Sequence, residues 1–218
     1  MKQVNCKLLM LSICLFMSSA VWAGELRVIF SDAKGNLLED AVLEIISPQL
    51  AIPEDWDYSG IMDQIDKEFV ENVLTVVEGS YVSFPNGDNI HHHVYSFSDN
   101  KTFDLPLYIG DSSEPIIFDV AGVTVVGCNI HDWMLGYIYV GKTHLMSKTR
   151  ADGVASLQNL AAGEYTFKIW HPRARRRDIN VIHTVTLEST GTTEYRVELN
   201  LGRDPRIRRA PTSGANAY

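Results

Sequence analysis

The sequence predicts an all-β protein built from one or two β-sandwiches. Short β-branched and aromatic runs alternate with polar residues at a period of two. Turn signals rich in Gly, Asp and Asn separate those runs. Only Asp63 to Glu71 hints at a helical turn.

Taken in order, Leu26 to Phe30 is a first strand, followed by a turn at Asp32-Ala-Lys-Gly35-Asn36 and a second strand over Ala41 to Ile46. Residues 47–64 carry Pro48, Pro53, Gly60 and several acids, and read as a linker or loop. The block from about 65 to 140 is rich in Val, Phe, Tyr and Ile. A polar, turn-rich texture returns near residue 143, with a turn at Asp152-Gly153 and a strand over Tyr165 to Trp170. Thr184 to Leu187 and Glu194 to Leu199 alternate as half-buried strands. These shifts predict two modules, one set in the other. The host would be 24–46 plus 142–201, the insert 47–141, and the tail 202–218 disordered.

The first 23 residues read as a signal peptide. Lys2 and Lys7 precede an apolar stretch from Leu8 to Val21, and Val21-Trp22-Ala23 offers a cleavage site after Ala23. The apolar stretch is short of the ~20 residues a spanning helix needs. An uncleaved anchor is the alternative. A lipoprotein site at Cys14 is disfavoured by the bulk of Ile13. No later segment is apolar enough to span a membrane, so the expected location is the periplasm.

The 218 residues carry 19 Lys plus Arg against 27 Asp plus Glu, a formal charge of −8. The leader holds two Lys and no acid, which leaves 17 basic against 27 acidic residues, or −10. That charge argues against nucleic acid as a partner. Arg173, Arg175, Arg176 and Arg177, then Arg203, Arg206, Arg208 and Arg209, break the acidic background. They read first as solvated charge, and otherwise as a dock for an acidic partner or surface. Cys6 and Cys14 lie in the leader, so the mature chain owns one cysteine, Cys128. An internal disulfide is then impossible, and a free thiol in an exported protein is open to oxidation. A metal-bound thiolate escapes that.

Cys128-Asn-Ile-His131-Asp-Trp-Met134 places a thiolate, an imidazole and a thioether within seven residues, just after the β-branched run Val123 to Val126. Thiolate and thioether select a soft ion. Two imidazoles and one thiolate with a weak axial Met make a blue-copper site, whereas zinc seldom takes Met. The second imidazole must come from His91, His92 or His93. Strand parity with Tyr95 and Phe97 would turn His91 and His93 inward. His144, His171 and His183 lie away from the Cys128-to-Met134 cluster and read as structural or solvent-facing. Trp133 fits equally a lid over the metal or core packing.

Val82-Ser-Phe84-Pro-Asn86, followed six residues on by His92 and then Val94, resembles the lead-in to the first ligand in the cupredoxins, the plastocyanin and amicyanin family. The spacing of Cys128, His131 and Met134 is similar to the short ligand loop of amicyanin. The resemblance implies a cupredoxin Greek-key sandwich with His92, Cys128, His131 and Met134 as the ligands of one type 1 copper. It also places His93 where that family often has an Asn that ties the ligand loops together. "NIHHHVYSFS", "FDLPLY" and "GCNIHDWMLGYIYV" look like the periplasmic proteins often labelled methylamine utilization protein. In that group a cupredoxin accompanies a carboxypeptidase-regulatory-like, transthyretin-like sandwich. Residues 32–46 and "TRADGVASLQNLAAGEYTFKIWHP" look like the halves of such a sandwich.

The resemblance implies a one-electron carrier, with His131 as the exposed ligand and redox proteins of the periplasm as partners. Copper delivery is an alternative use of the same residues. A β-sandwich interaction or carbohydrate-binding module with a vestigial site is another. An enzyme is disfavoured. One cysteine cannot build a binuclear two-Cys centre, seven His are too few for a trinuclear cluster, and no nucleophile elbow, phosphate loop or zinc-protease motif occurs.

Overall fold

A computed structural model describes residues 24–110, 114–179 and 181–205. The leader, Arg206, Arg208, Arg209 and the tail from 206 lie outside the described residues. The strands, in order, are β1 (Gly24–Asp32), β2 (Val42–Ser47), β3 (Ser59–Ile61), β4 (Asp63–Ile65), β5 (Glu68–Val70), β6 (Val73–Val77), β7 (Ser80–Ser83), β8 (His92–Ser98) and β9 (Lys101–Tyr108). There follow β10 (Ile116–Phe118), β11 (Gly122–Gly127), β12 (Leu135–Gly141), β13 (Met146–Lys148), β14 (Val154–Leu160) and β15 (Gly163–Trp170). A one-turn helix α1 (Arg176–Ile179) precedes β16 (Ile182–Leu187) and β17 (Thr192–Leu199). The described chain is therefore all-β apart from that turn.

One pair of sheets has the orders β14-β1-β17 and β13-β2-β15-β16. Alternation along β1 drives Leu26, Val28 and Phe30 into the space between them, where they meet Leu43, Ile45, Phe167, Ile169, Val197 and Leu199. The second pair is a five-stranded sheet, β6-β12-β11-β8-β9, and a smaller one, β10-β7-β3. Met62, Phe69, Val82, Phe84, Val94, Phe118, Val126 and Ile138 fill its core together with Cys128 and Met134. Strand β12 runs antiparallel to β11 and parallel to β6.

The two cores meet at a third cluster. Val42 packs with Val73 and Tyr139, and Tyr137 and Tyr139 lie 5.6 and 5.7 Å from the Trp170 ring. A fully buried Glu44 on β2 crosses this seam. It accepts from the Tyr139 hydroxyl at 2.6 Å and the Lys142 N–H at 2.8 Å, and pairs with Lys168 at 2.8 Å. Burial and the adjacent Glu44 carboxylate push the Tyr139 phenol far above its ordinary value, so it stays a donor.

Two sequence expectations change. The segment from Asp63 to Glu71 is not helical; it forms the hairpin β4–β5. Asp66 and Lys67 make its two-residue turn with φ of 55° and 61°, the left-handed geometry that hairpin turns need. Asp is common in such turns, but Lys is not, so the pair signals the turn weakly. The Asp88 carboxylate, from a distant loop, accepts both turn N–H groups at 2.8 and 2.9 Å. The segment 47–64 is also more than linker: Ser47 ends β2, and β3 pairs in parallel with β7.

Candidate metal centre

Strand β11 delivers Cys128 to the edge of the second core, and β12 begins right after Met134. The loop between them closes on itself. The Cys128 N–H donates to the Met134 carbonyl at 3.2 Å, and the Met134 N–H to the His131 carbonyl at 2.9 Å. Closure turns Cys128 and Met134 inward, both nearly fully buried, while Ile130 and Asp132 face outward and His131 is half-buried. His92 opens β8 and is completely buried.

His92, Cys128 and His131 converge. The Cys128 Sγ lies 3.9 Å from His92 Nδ1 and 3.8 Å from His131 Nδ1, and one donor atom from each residue falls within 4.8 Å of the others. The two imidazoles meet edge to face at 5.0 Å. Bond lengths of a zinc-sized ion would separate S and N by about 3.6 Å at a tetrahedral angle and by about 3.8 Å at a trigonal one. The observed spacings of 3.9 and 3.8 Å are close to these, so His92, Cys128 and His131 would be able to hold one ion between them. Burial, with His92 and Lys67 nearby, holds the His131 imidazole below its ordinary value, leaving it neutral and able to donate a lone pair.

The parity reading of the His run is overturned. His92, Val94 and Ser96 face the core, whereas His93, Tyr95 and Phe97 face outward and His91 is exposed. Small, polar Ser96 fits inside because its hydroxyl accepts the Ser98 N–H at 3.1 Å. The outward rings stack along the strand, His93 on Tyr95 at 5.4 Å and Tyr95 on Phe97 at 5.2 Å. His93 pairs with Asp104 of β9 at 2.6 Å, so it ties β8 to β9 and not one ligand loop to the other.

Behind His92 stands a residue the motif reading missed. Asp88 approaches His92 Nε2 at 2.7 Å and is the same carboxylate that holds the β4–β5 turn. Since Nδ1 points at the thiol, Nε2 carries the proton and donates to Asp88. Burial raises the Asp88 carboxyl, but the bonds from His92, Lys67 and Asp66 outweigh it and keep the group below its ordinary value. Carboxylate, imidazole and donor nitrogen thus line up as in many metal sites. Asn86 fixes Asp88 in turn. Its Oδ1 accepts the Asp88 N–H at 3.0 Å, and its Nδ2 donates to the carbonyls of Ile90 and Tyr108, each at 2.9 Å.

Tyr108 and Gln64 complete the surround. The Tyr108 hydroxyl donates to the Phe84 carbonyl at 2.5 Å, and the buried Gln64 Nε2 donates to that hydroxyl. Burial above all, with the charges of Asp63 and Cys128, pushes the Tyr108 phenol up to about 12. Trp133 lies 5.4 Å from His131 and lines a small cleft with Glu68, Phe69, Val70, Glu71, Asn72 and Leu135. The sequence signal that could have found Asp88 was its place four residues before His92, within the Asn86-to-His92 lead-in. The His171 Nε2–H donates to the Glu39 carbonyl at 3.1 Å and its Nδ1 accepts the Arg173 N–H at 3.1 Å, while His183 stacks on Phe167, so neither reaches Cys128.

No family model matches this chain, and no curated protein matches it. Among solved structures it is similar to a Cu-containing nitrite reductase from Thermus scotoductus (23% identity, 38% of this chain, 22% of that one, TM-score 0.36). It is similar also to a purple cupredoxin from Nitrosopumilus maritimus (20% identity, 38% of this chain, 99% of that one, TM-score 0.34). A third is amicyanin from Paracoccus versutus (20% identity, 45% of this chain, 97% of that one, TM-score 0.35). The chain thus spans about a fifth of the nitrite reductase. The choice of metal rests on the chain's own donors. No helix among the described residues is long and apolar enough to cross a membrane.

Proposed function

We propose that this protein binds one type 1 copper through His92, Cys128, His131 and Met134 and acts as a one-electron carrier. The observation that carries the reading is the buried S, N, N triangle, with 3.8 and 3.9 Å sides from the sulfur, closed by a loop that ends on a buried Met. Copper held there would exchange a single electron between two oxidation states. The chain would contribute rigidity. Asp88 orients His92, the Cys128–Met134 backbone bond fixes the loop, and the apolar core keeps water from the thiolate. His131, half-buried beside exposed Ile130, would be the ligand nearest a redox partner.

The wider reading is a periplasmic, non-enzymatic protein of the kind often labelled methylamine utilization protein, released from its leader after Ala23. Residues 47–141 would be the copper module, carried by a transthyretin-like host of 24–46 plus 142–201. The separate cores on either side of the Glu44 seam support that division.

The test is optical. One equivalent of Cu(II) added to the mature protein should give a blue solution with an intense thiolate-to-copper band, absent in Cys128→Ser. A colourless product in which Cys128 is shown to be reduced overturns the proposal.

A further inference from the structure

The first arginine run and the start of the second meet in the folded chain. Ala174 and Leu201 form an antiparallel bridge, the Arg175 N–H donates to the Asn200 carbonyl at 3.1 Å, and the Gly202 N–H donates to the Arg173 carbonyl at 2.6 Å. The Arg173 Nε–H adds a bond to the Gly202 carbonyl at 3.2 Å. On α1, the Asp178 carboxylate accepts the Asn200 N–H at 3.1 Å. Ala174 and Leu201 pack against the core between the first pair of sheets, so this ladder is anchored. It sets Arg203 beside the run that continues into α1. Over residues 173–178 and 200–205, five arginines stand against two aspartates, a local charge of +3 in a chain of −8. Arg175, Arg176, Arg177 and Arg203 are all exposed.

Exposed apolar side chains adjoin this charge. Val181 and Ile182, 44% and 61% exposed, follow α1 within five residues of Arg177. Ile182 opens β16, the edge strand of its sheet. The next residue, His183, turns inward to stack on Phe167, so alternation points Ile182 outward. Arginine alone would suit any anionic partner. Arginine beside bare branched aliphatic side chains suits a surface that is anionic outside and apolar just beneath, which is a phospholipid bilayer. We propose that Arg175, Arg176, Arg177 and Arg203, with Val181 and Ile182, form a docking surface for an anionic phospholipid bilayer. The guanidinium groups would pair with lipid phosphates, whose geometry matches their fork, and the two apolar side chains would enter the headgroup boundary. The acidic remainder of the chain is repelled by the same surface, so this face is the one presented to it. Such docking does not depend on the metal.

The test sediments the mature protein with vesicles of equimolar phosphatidylglycerol and phosphatidylcholine, and in parallel with vesicles of phosphatidylcholine alone. The protein should bind the first and not the second, and added salt should release it, because salt screens surface charge. Each basic residue near such a bilayer contributes about fivefold to partitioning, so neutralising three with R175Q/R176Q/R177Q should weaken binding by about a hundredfold. V181S/I182S should weaken it by about tenfold or more while keeping the salt dependence. Thermal unfolding at the parent's midpoint checks that each variant is folded. A parent that binds neither vesicle, or binds both equally, overturns the proposal without any variant. Folded R175Q/R176Q/R177Q that binds within threefold of the parent also overturns it. Folded V181S/I182S that binds as the parent does leaves contact by charge alone and overturns the bilayer as the partner. Retention on immobilised polyglutamate with no vesicle binding assigns the arginines to an acidic protein, which overturns it too.

Discussion

Asp88→Ala removes one carboxylate that serves two elements at once. One oxygen accepts the Asp66 N–H at 2.8 Å; the other accepts the Lys67 N–H at 2.9 Å and the His92 Nε2–H at 2.7 Å. The turn N–H groups lie near the surface and can bond to water, so their loss costs little. His92 cannot do the same, because its side chain is completely buried. Its donor would be left without the charged acceptor, a penalty of about 1–3 kcal/mol. Loss of such an outer partner typically lowers metal affinity by about 10–100-fold, the same range of energy. Asp88→Asn keeps the shape and a neutral acceptor. A charge-assisted bond is roughly twice as strong as a neutral one, so this variant should lose only about 1 kcal/mol, or about fivefold. Competition against a chelator of known affinity, at one pH, measures both. The order should be parent, then Asn, then Ala. An Asp88→Ala protein that binds Cu(II) within twofold of the parent would refute the idea that Asp88 prepares His92 for a metal.

Glu44→Ala strands the Tyr139 hydroxyl and the Lys142 N–H in the seam, while Lys168 can turn to water, and should destabilise the protein by about 1–3 kcal/mol in urea unfolding; a loss under 0.5 kcal/mol, well below the ~1 kcal/mol of one such donor, would show that water replaces the carboxylate there. Gly136→Ala puts a Cβ 2.9 Å from Phe69 Cβ and 3.1 Å from Val126 Cγ2, so the same unfolding assay should show about 1–3 kcal/mol of overpacking. Burial holds the His183 imidazole below its ordinary value, so the fold disfavours its protonated form. The contribution is present above the unfolded pKa of about 6.5 and is lost as pH falls toward the lower folded value. Urea midpoints of the metal-free parent should therefore decline more steeply on acidification than those of His183→Gln; parallel declines would disprove the assignment.

Much of the fold was legible because a period of two is a local property. Leu26, Val28 and Phe30 announce an inward face from the sequence alone, and β1 buries those three residues. The β4–β5 hairpin was not legible. Its turn residues, Asp66 and Lys67, are held in the left-handed region by a carboxylate 21 and 22 positions away. The facing of β8 was misleading for a related reason. Tyr95 and Phe97 look like core residues, but they make their own apolar contact on the outside, and Ser96 satisfies itself inside.

The sequence by itself determined the donor inventory: one thiol beyond residue 23, an imidazole three residues on and a thioether three further, next to a β-branched strand. The run His91-His92-His93 beside the Val82-to-Asn86 lead-in also narrowed the second imidazole to three adjacent positions. Motif spacing singled out His92 among the three, against strand parity, and the tertiary structure shows what lets that residue enter the core. Burying His92 requires an acceptor for its far nitrogen, and Asp88, held by Asn86 and by two turn N–H groups, supplies it. The same holds for Glu44, unremarkable in a polar strand position, whose charge is stable in the seam only because Tyr139, Lys142 and Lys168 arrive from elements 95 to 124 residues away. Side-chain types are written locally, but the partners that make a buried polar group tolerable come from distant strands, and only folding brings them within reach.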